Sequence, residues 1–154
     1  MADTKQLDAQ DIPDGFVPID KPSSFGQLIG PVYECPEDAG MFVRALRVED
    51  KHTNLGGIVH GGVLMSFADV ILGTVSYRHV GRTGMSVRLV SDFVSPARVG
   101  DWLEGRGTVT KATRSIIFAQ GALTVEGRTI LTVSGTYKLR SQNSSSYPCR
   151  VESN

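Results

Sequence analysis

Apolar and polar residues alternate with two different periods along the chain. From Gly61 to Tyr77 the apolar side chains recur at helical spacing without a proline, which predicts one long helix of about four turns. The apolar positions of this segment are Leu64, Phe67, Ala68, Ile71, Leu72 and Val75. It is the one strong helical pattern in the chain.

The rest of the core shows the period of two that is typical of β-strands. Two short strands between Val32 and Val48, separated by turn-forming residues at 37–40, predict a hairpin. After Gly84, four alternating segments separated at 96–100, 111–114 and 126–128 predict an antiparallel meander. In the first of them Met85, Val87 and Leu89 alternate with Ser86 and Arg88. Hairpin, helix and meander together predict an α+β fold, in which a single helix lies against a curved sheet.

Composition predicts one soluble globular domain with polar extensions. The chain has 154 residues, of which 40% are hydrophobic, enough to bury a core without disulfides or metal. We predict an acidic extension at 1–22, a single domain at 23–140 and a flexible polar tail at 141–154. Without a signal peptide or a long apolar run, the cytoplasm is the expected location. Cys35 and Cys149 predict neither a disulfide nor a metal site.

The net charge is zero, with 16 basic and 16 acidic residues, which argues against nucleic acid or an anionic membrane as partners. The balance is nevertheless uneven along the chain. Residues 1–38 carry eight acidic and two basic side chains, whereas residues 78–114 carry seven basic and three acidic ones. The basic region is therefore a candidate surface for a phosphorylated small molecule.

A pair of glycines after His60 marks the predicted start of the helix. The first backbone N–H groups of a helix have no intrahelical partner and carry the positive end of the helix dipole. Gly61 and Gly62 leave room for a ligand to approach these groups, which favours an anion or oxyanion site. The alternative is a tight loop in which His60 bonds only to backbone.

Asp69 is the only Asp, Glu, Lys or Arg between His52 and Tyr77. It shares a helical stripe with Ser66, Gly73 and Ser76, opposite the apolar face, and a lone carboxylate there either reaches solvent or serves a site. Eight residues separate it from Gly61, about 12 Å along a helix. If both act on one substrate, Asp69 must come from a second subunit, which predicts a homodimer with a shared site.

These motifs resemble the hot-dog fold acyl-CoA thioesterases of the phenylacetate-degradation (PaaI) type. The resemblance rests on Asn54 and five residues later His60-Gly61-Gly62, on Asp69 within the next helix, and on residues 84–87 and 95–101. It extends from about Val32 to Leu139. It implies a long helix wrapped by an antiparallel sheet, in subunits that pair into dimers and commonly into tetramers.

The resemblance also implies a role for each motif residue in hydrolysis of a CoA thioester to acid and free CoA. The backbone N–H of Gly61 holds the thioester carbonyl, Asn54 helps to hold the carbonyl or the attacking water, and His60 positions the turn. Asp69 of the partner subunit acts as general base or nucleophile, and Ser86 assists it. No metal or other cofactor is expected, because CoA is part of the substrate.

Several basic side chains are candidates for binding the phosphates of CoA. The predicted substrate- and CoA-binding residues are Gly62, Arg88, Arg98, Lys111 and Arg114, with Arg114 and Lys111 favoured; Met65 and Phe93 are candidate pocket walls. For any one cation the alternative is a solvated sheet face.

Other functions are less compatible with the sequence. The chain has no Gly-x-Ser-x-Gly motif, which argues against a Ser-His-Asp hydrolase. Its three histidines do not have the spacing of zinc ligands. The His-Phe-Pro segment that is characteristic of hot-dog dehydratases is also absent. The remaining alternative is a hot-dog module that binds acyl-CoA without cleaving it, although such a module has no need for Asp69. Acyl specificity and the choice between dimer and tetramer stay open.

Overall fold

The predicted long helix exists and packs on one face of a seven-stranded antiparallel sheet, which confirms the α+β fold. The computed structural model describes residues 12–35 and 42–141. Its elements are β1 (Val17–Pro18), α1 (Ser24–Ile29), β2 (Val32–Cys35), β3 (Val43–Arg47), α2 (Gly61–Val80), β4 (Gly84–Phe93), β5 (Trp102–Ala112), β6 (Ile116–Val125) and β7 (Arg128–Leu139). The predicted turn at 37–40, most of the acidic extension, the polar tail after 141 and Cys149 lie outside the described residues.

The sheet has the strand order β1-β2-β3-β5-β6-β7-β4. The predicted hairpin is confirmed as β2 and β3. The predicted four-strand meander is wrong for its first strand, because β4 pairs with β7 and β5 pairs with β3. The connection after β4 returns past the start of α2, where the Val59 N–H donates to the Ala97 carbonyl at 2.8 Å. The pairing of strands that are distant in the sequence cannot be predicted from the periodicity of each strand.

Helix α2 packs closely onto the sheet through its apolar face. Its Phe67, Ala68, Ile71 and Leu72 are almost fully buried. Gly105 in β5 allows the approach, since a Cβ there would lie 2.7 Å from Cγ1 of Ile71. Ser76, which the helical wheel placed beside Asp69, is also buried. No helix among the described residues is long and apolar enough to span a bilayer.

Strand β4 forms one edge of the sheet and departs from the predicted alternation. Met85 and Val87 are 62% and 54% exposed, and Ser86 faces α2 instead. The register of β4 against β7 shifts between Ser86 and Arg88, because Val87 is an extra residue on the β4 side. A bulge of this kind reverses which residues face the helix, so the period-two pattern alone assigned the wrong face here.

The segment before β2 contains two elements that the sequence patterns did not predict. The two residues of β1 pair with β2, and α1 begins after Ser23, whose hydroxyl accepts a hydrogen bond from the Gly26 N–H. Phe16 packs edge-on against Trp102 with 5.2 Å between ring centroids. Both elements are too short to show a hydrophobic period.

Candidate active site

A tight turn before α2 presents Asn54. The Asn54 side-chain Oδ1 accepts a hydrogen bond from the Gly56 N–H at 2.8 Å, and its backbone N–H and carbonyl bond to Ile58 and Gly57. Gly57 has φ +72°, a left-handed conformation that favours glycine. Because Oδ1 is engaged within the turn, the Nδ2 group of Asn54 remains a donor that can face a ligand.

The buried imidazole of His52 holds this turn in place. Its Nδ1 accepts from the Glu49 N–H and its Nε2 lies 2.9 Å from the Ile29 carbonyl, to which it donates. The His52 carbonyl in turn accepts from the His60 N–H at 2.8 Å. Burial lowers the pKa of His52 below its usual value, so the folded state keeps the neutral ring. The ring therefore links α1 to the turn that carries Asn54 and His60.

We expect folding stability to fall on acidification because of His52. The unfolded chain binds a proton at this histidine below about pH 6.5, whereas the folded state resists it, so stability is lost as pH drops through that value. If the folded ring stays neutral, the free energy of unfolding should decrease between pH 7 and pH 5.5 by on the order of 1 kcal/mol. Urea denaturation of the wild type and of His52→Gln isolates this contribution. The same pH slope in both proteins would contradict it.

His60 caps α2 and leaves one helical amide available. Its Nδ1 accepts from the Gly62 N–H at 2.9 Å, and its carbonyl accepts from the N–H groups of Val63 and Leu64. Among the described residues, none accepts a hydrogen bond from the Gly61 N–H. The predicted ligand-binding residue Gly62 thus has its N–H engaged, and Gly61 is the amide that remains for a substrate oxygen.

The Gly61 amide borders an apolar cavity of about 420 Å³. The cavity is lined by residues of the Asn54 turn, the α2 start and the segment after β4: Asn54, Ile58, Val59, Gly61, Leu64, Phe93, Val94, Ser95, Pro96 and Ala97. The ring of Phe93 covers Gly61, since a Cβ there would lie 3.2 Å from its Cε1. Met65, the other predicted wall residue, does not line this cavity and accepts a hydrogen bond from Ser91 at 2.8 Å.

Two hydroxyl groups hold the carboxylate of Asp69 on the partly buried side of α2. The Ser86 hydroxyl donates to Oδ1 at 2.6 Å, and the Tyr137 hydroxyl donates to the same oxygen at 3.0 Å. No described residue donates to Oδ2. The structure thus brings the predicted pair Asp69 and Ser86 together and leaves one carboxylate oxygen free to act on water or substrate.

Within one chain, Asp69 does not reach the Gly61 amide. Both belong to α2, and the eight residues between them span about 12 Å of a straight helix. The residues that the sequence placed in one active site therefore form two groups: Asn54, His60 and Gly61 at the helix start, and Asp69 with Ser86 near its middle.

The four predicted CoA-binding cations are all exposed but do not form one cluster in a single chain. Arg88 belongs to β4, and Arg98 lies in the segment that returns past the α2 start. Lys111 and Arg114 lie around the turn from β5 to β6, where the Arg114 carbonyl accepts from Arg82, just beyond the end of α2. The two favoured cations are thus at the far end of the helix from Gly61.

Sequence reasoning missed Tyr137. Tyr137 alternates with polar residues along β7, as core positions of a strand do, and it is only 2% exposed. The sequence could have indicated its role in one way, because a buried tyrosine hydroxyl normally requires a hydrogen-bond partner.

No group of His, Cys, Asp or Glu suited to holding a metal ion occurs in the described ranges 12–35 and 42–141.

Residues 56–132, half of the chain, match the family described as the thioesterase superfamily. The chain belongs to this superfamily. A Pseudomonas aeruginosa protein named as an esterase, PA0474, is 39% identical over 131 residues, which cover 83% of this chain and 97% of the relative. Human acyl-coenzyme A thioesterase 13 is 27% identical, covering 70% and 84%. Membership places the chain among the thioester hydrolases.

Solved structures agree with the fold. A mutant structure of the phenylacetic acid degradation protein PaaI from Thermus thermophilus superposes with a TM-score of 0.68 and 23% identity, covering 77% of this chain and all of that one. The family match thus confirms the thioesterase superfamily, and the superposition confirms the hot-dog fold that the resemblance to PaaI-type members implied.

Proposed function

We propose that this protein hydrolyses acyl-CoA thioesters to a carboxylic acid and free CoA. The observation that carries the proposal is the Gly61 N–H, which has no partner among the described residues and borders an apolar cavity. The related human protein is named an acyl-coenzyme A thioesterase, which supports CoA esters as the substrate class. The reaction consumes water and needs no cofactor, and it suits a cytoplasmic enzyme.

The helix start supplies electrostatic stabilisation for the thioester carbonyl. Attack on that carbonyl places negative charge on its oxygen, and a preorganised backbone donor at a helix N-terminus stabilises this charge by about 3 kcal/mol. Asn54 lines the same cavity as Gly61, and its Nδ2 group can provide a second donor. His60 contributes indirectly, because its bond to Gly62 fixes the first turn.

Asp69 supplies the second requirement, which is activation of the attacking group. A carboxylate oxygen within hydrogen-bond reach of water acts as a general base, and the same oxygen can attack the carbonyl directly. Either role uses Oδ2, because Oδ1 already accepts from Ser86 and Tyr137. The thiolate of CoA then leaves, and the acid is released directly or after hydrolysis of an acyl-aspartate.

The two halves of the site meet if two subunits pair through β4. This edge strand has ten residues and exposes Met85, Val87 and Phe93, an apolar edge that favours pairing with another strand. Ser86 of the same strand bonds Asp69, so an interface at β4 brings Asp69 near the partner. A homodimer therefore completes the site, and it can pair further into a homotetramer.

The same symmetry gives Arg114 a role in binding CoA. If Gly61 of one α2 faces the partner's Asp69, two-fold symmetry makes the helices antiparallel. The end of the partner's helix then lies about 16 Å beyond Gly61, counting the 11 residues from position 69 to 80. A phosphopantetheine arm can bridge such a distance, which places the nucleotide phosphates near the partner subunit's Lys111 and Arg114.

We expect Arg114→Ala to raise KM for CoA esters about three- to tenfold, because one charge-assisted contact to phosphate is lost. KM for a short thioester of the same acyl group without the nucleotide should change less than twofold. Lys21→Ala removes an exposed cation just after β1, at the other edge of the sheet, and serves as the control. Equal effects of Arg114→Ala on both substrates would argue against the phosphate contact.

A further inference from the structure

We infer that Tyr137 is a positioning residue for the proposed reaction: with Ser86 it forms a two-hydroxyl clamp that orients the Asp69 carboxylate toward substrate. This inference rests on the proposed function for its kinetic consequence, but the clamp itself is a feature of the fold. Its members come from three elements, α2, β4 and β7, which meet at one point.

The clamp arises from the pairing of β4 with β7. Ser86 and Tyr137 are directly opposite each other in that ladder, at the last paired position before the β4 bulge. Because opposite residues face the same side of a sheet, both hydroxyls point at α2 and converge on Oδ1 of Asp69. The bulge therefore contributes to the clamp, because it allows Ser86 to face the helix at this position.

The two donors differ in their surroundings, which makes their contributions unequal. Ser86 is exposed on the edge strand, whereas Tyr137 is 2% exposed and approaches from the interior. Burial and the neighbouring Asp69 raise the pKa of Tyr137 well above its ordinary value, so its hydroxyl stays protonated and donates at every working pH. Among the described residues, Tyr137 is the one titratable side chain that hydrogen-bonds the Asp69 carboxylate.

Steric contacts fix the Tyr137 ring in this position. A Cβ added at Gly135 would lie 2.9 Å from ring atom Cε2, which is too close for the ring to stay in place. The ring thus occupies a slot that exists because Gly135 has no side chain. The hydroxyl also lies 3.3 Å from the Asp69 backbone carbonyl, so it contacts both the side chain and the helix turn that carries it.

The consequence is that two hydroxyl donors hold the Asp69 carboxylate in a defined orientation. Both bind the same oxygen, so rotation of the carboxylate about its Cβ–Cγ bond would cost both hydrogen bonds. Oδ2, to which no described residue donates, is thereby left available to a partner-bound thioester or its water.

Tyr137→Phe tests the clamp, because it deletes the hydroxyl and keeps the ring. We expect kcat for an acyl-CoA ester to fall roughly tenfold or more, with KM changed less than twofold, as for loss of a hydrogen bond to a charged group. Tyr33→Phe, a change at another buried tyrosine outside the site, should leave both kcat and KM unchanged.

A role in packing alone predicts wild-type kcat for Tyr137→Phe, and that result would overturn the inference. The carbon NMR shift of the Asp69 carboxyl group, compared in wild type and variant at one neutral pH, gives a readout that does not need activity. This shift should change in the variant, because the hydrogen bond from Tyr137 is lost. Equal shifts refute the clamp, whereas a changed shift in a protein that hydrolyses no thioester supports the clamp and refutes the proposed function.

Discussion

Asp69→Asn is expected to lower kcat for acyl-CoA hydrolysis by about a thousandfold, because an amide neither takes a proton from water nor attacks a thioester carbonyl. The side chain keeps its size, and its carbonyl oxygen can still accept from Ser86 and Tyr137. The fold and the cavity at Gly61 should therefore be unchanged. The loss should appear in kcat, while KM or the Kd of a non-hydrolysable CoA ester changes little.

The matched control is Asp20→Asn, which makes the same chemical change at an exposed position between β1 and α1, away from β4. Its kcat should stay within twofold of wild type. Thiol release under saturating substrate measures both variants, and calorimetric titration with a CoA thioether measures binding. A variant Asp69→Asn that turns over at the wild-type rate would contradict the assignment of Asp69, whatever the identity of the acyl group.

Mixing two inactive variants should restore about a quarter of the wild-type activity. Asp69→Asn keeps the Gly61 amide, and Gly61→Pro keeps Asp69. Random re-pairing of equal amounts makes half of the dimers hybrid, and each hybrid contains one site of two with both groups intact. Activity is measured after the mixture is dissociated and reassociated, with each variant treated alone in parallel.

Gly61→Pro suits this experiment because the local structure accepts proline. Gly61 is the first residue of α2, where proline is favoured, and His60 has φ −63° and ψ 134°, which a residue before proline readily adopts. The change removes the N–H, for which we expect a loss in kcat of about a hundredfold or more. Gly61→Ala adds the same crowding against Phe93 but keeps the amide. Activity in a strictly monomeric protein would contradict a shared site.

The sequence predicted those parts of the fold that depend on local periodicity. The α2 pattern located the helix to within a few residues, and turn residues located the breaks between β5, β6 and β7. The position of β4 beside β7 could not be predicted, because pairing between distant strands depends on the whole sheet. The bulge after Ser86 could not be predicted either, because it also depends on the pairing with β7. It changed which side chains of β4 face α2.

The candidate site could be predicted where its chemistry is local. His60, Gly61 and Gly62 are adjacent in the chain, so their arrangement follows from the start of a helix. Asp69 could also be recognised from the sequence, because it is the only charged residue of its segment. Tyr137 is 68 residues away from Asp69, and the sequence offered only the expectation that its buried hydroxyl needs a partner.

Release of the CoA thiol from acyl-CoA esters, measured for wild type and Asp69→Asn side by side, tests the central claim most directly. A panel of aromatic, medium-chain and hydroxylated acyl groups at saturating concentration covers the open choice of substrate. Hydrolysis of at least one ester by wild type, reduced about a thousandfold in Asp69→Asn, is the predicted result. Tight binding of these esters by wild type with no thiol release above that of Asp69→Asn would contradict it and identify a binding module instead.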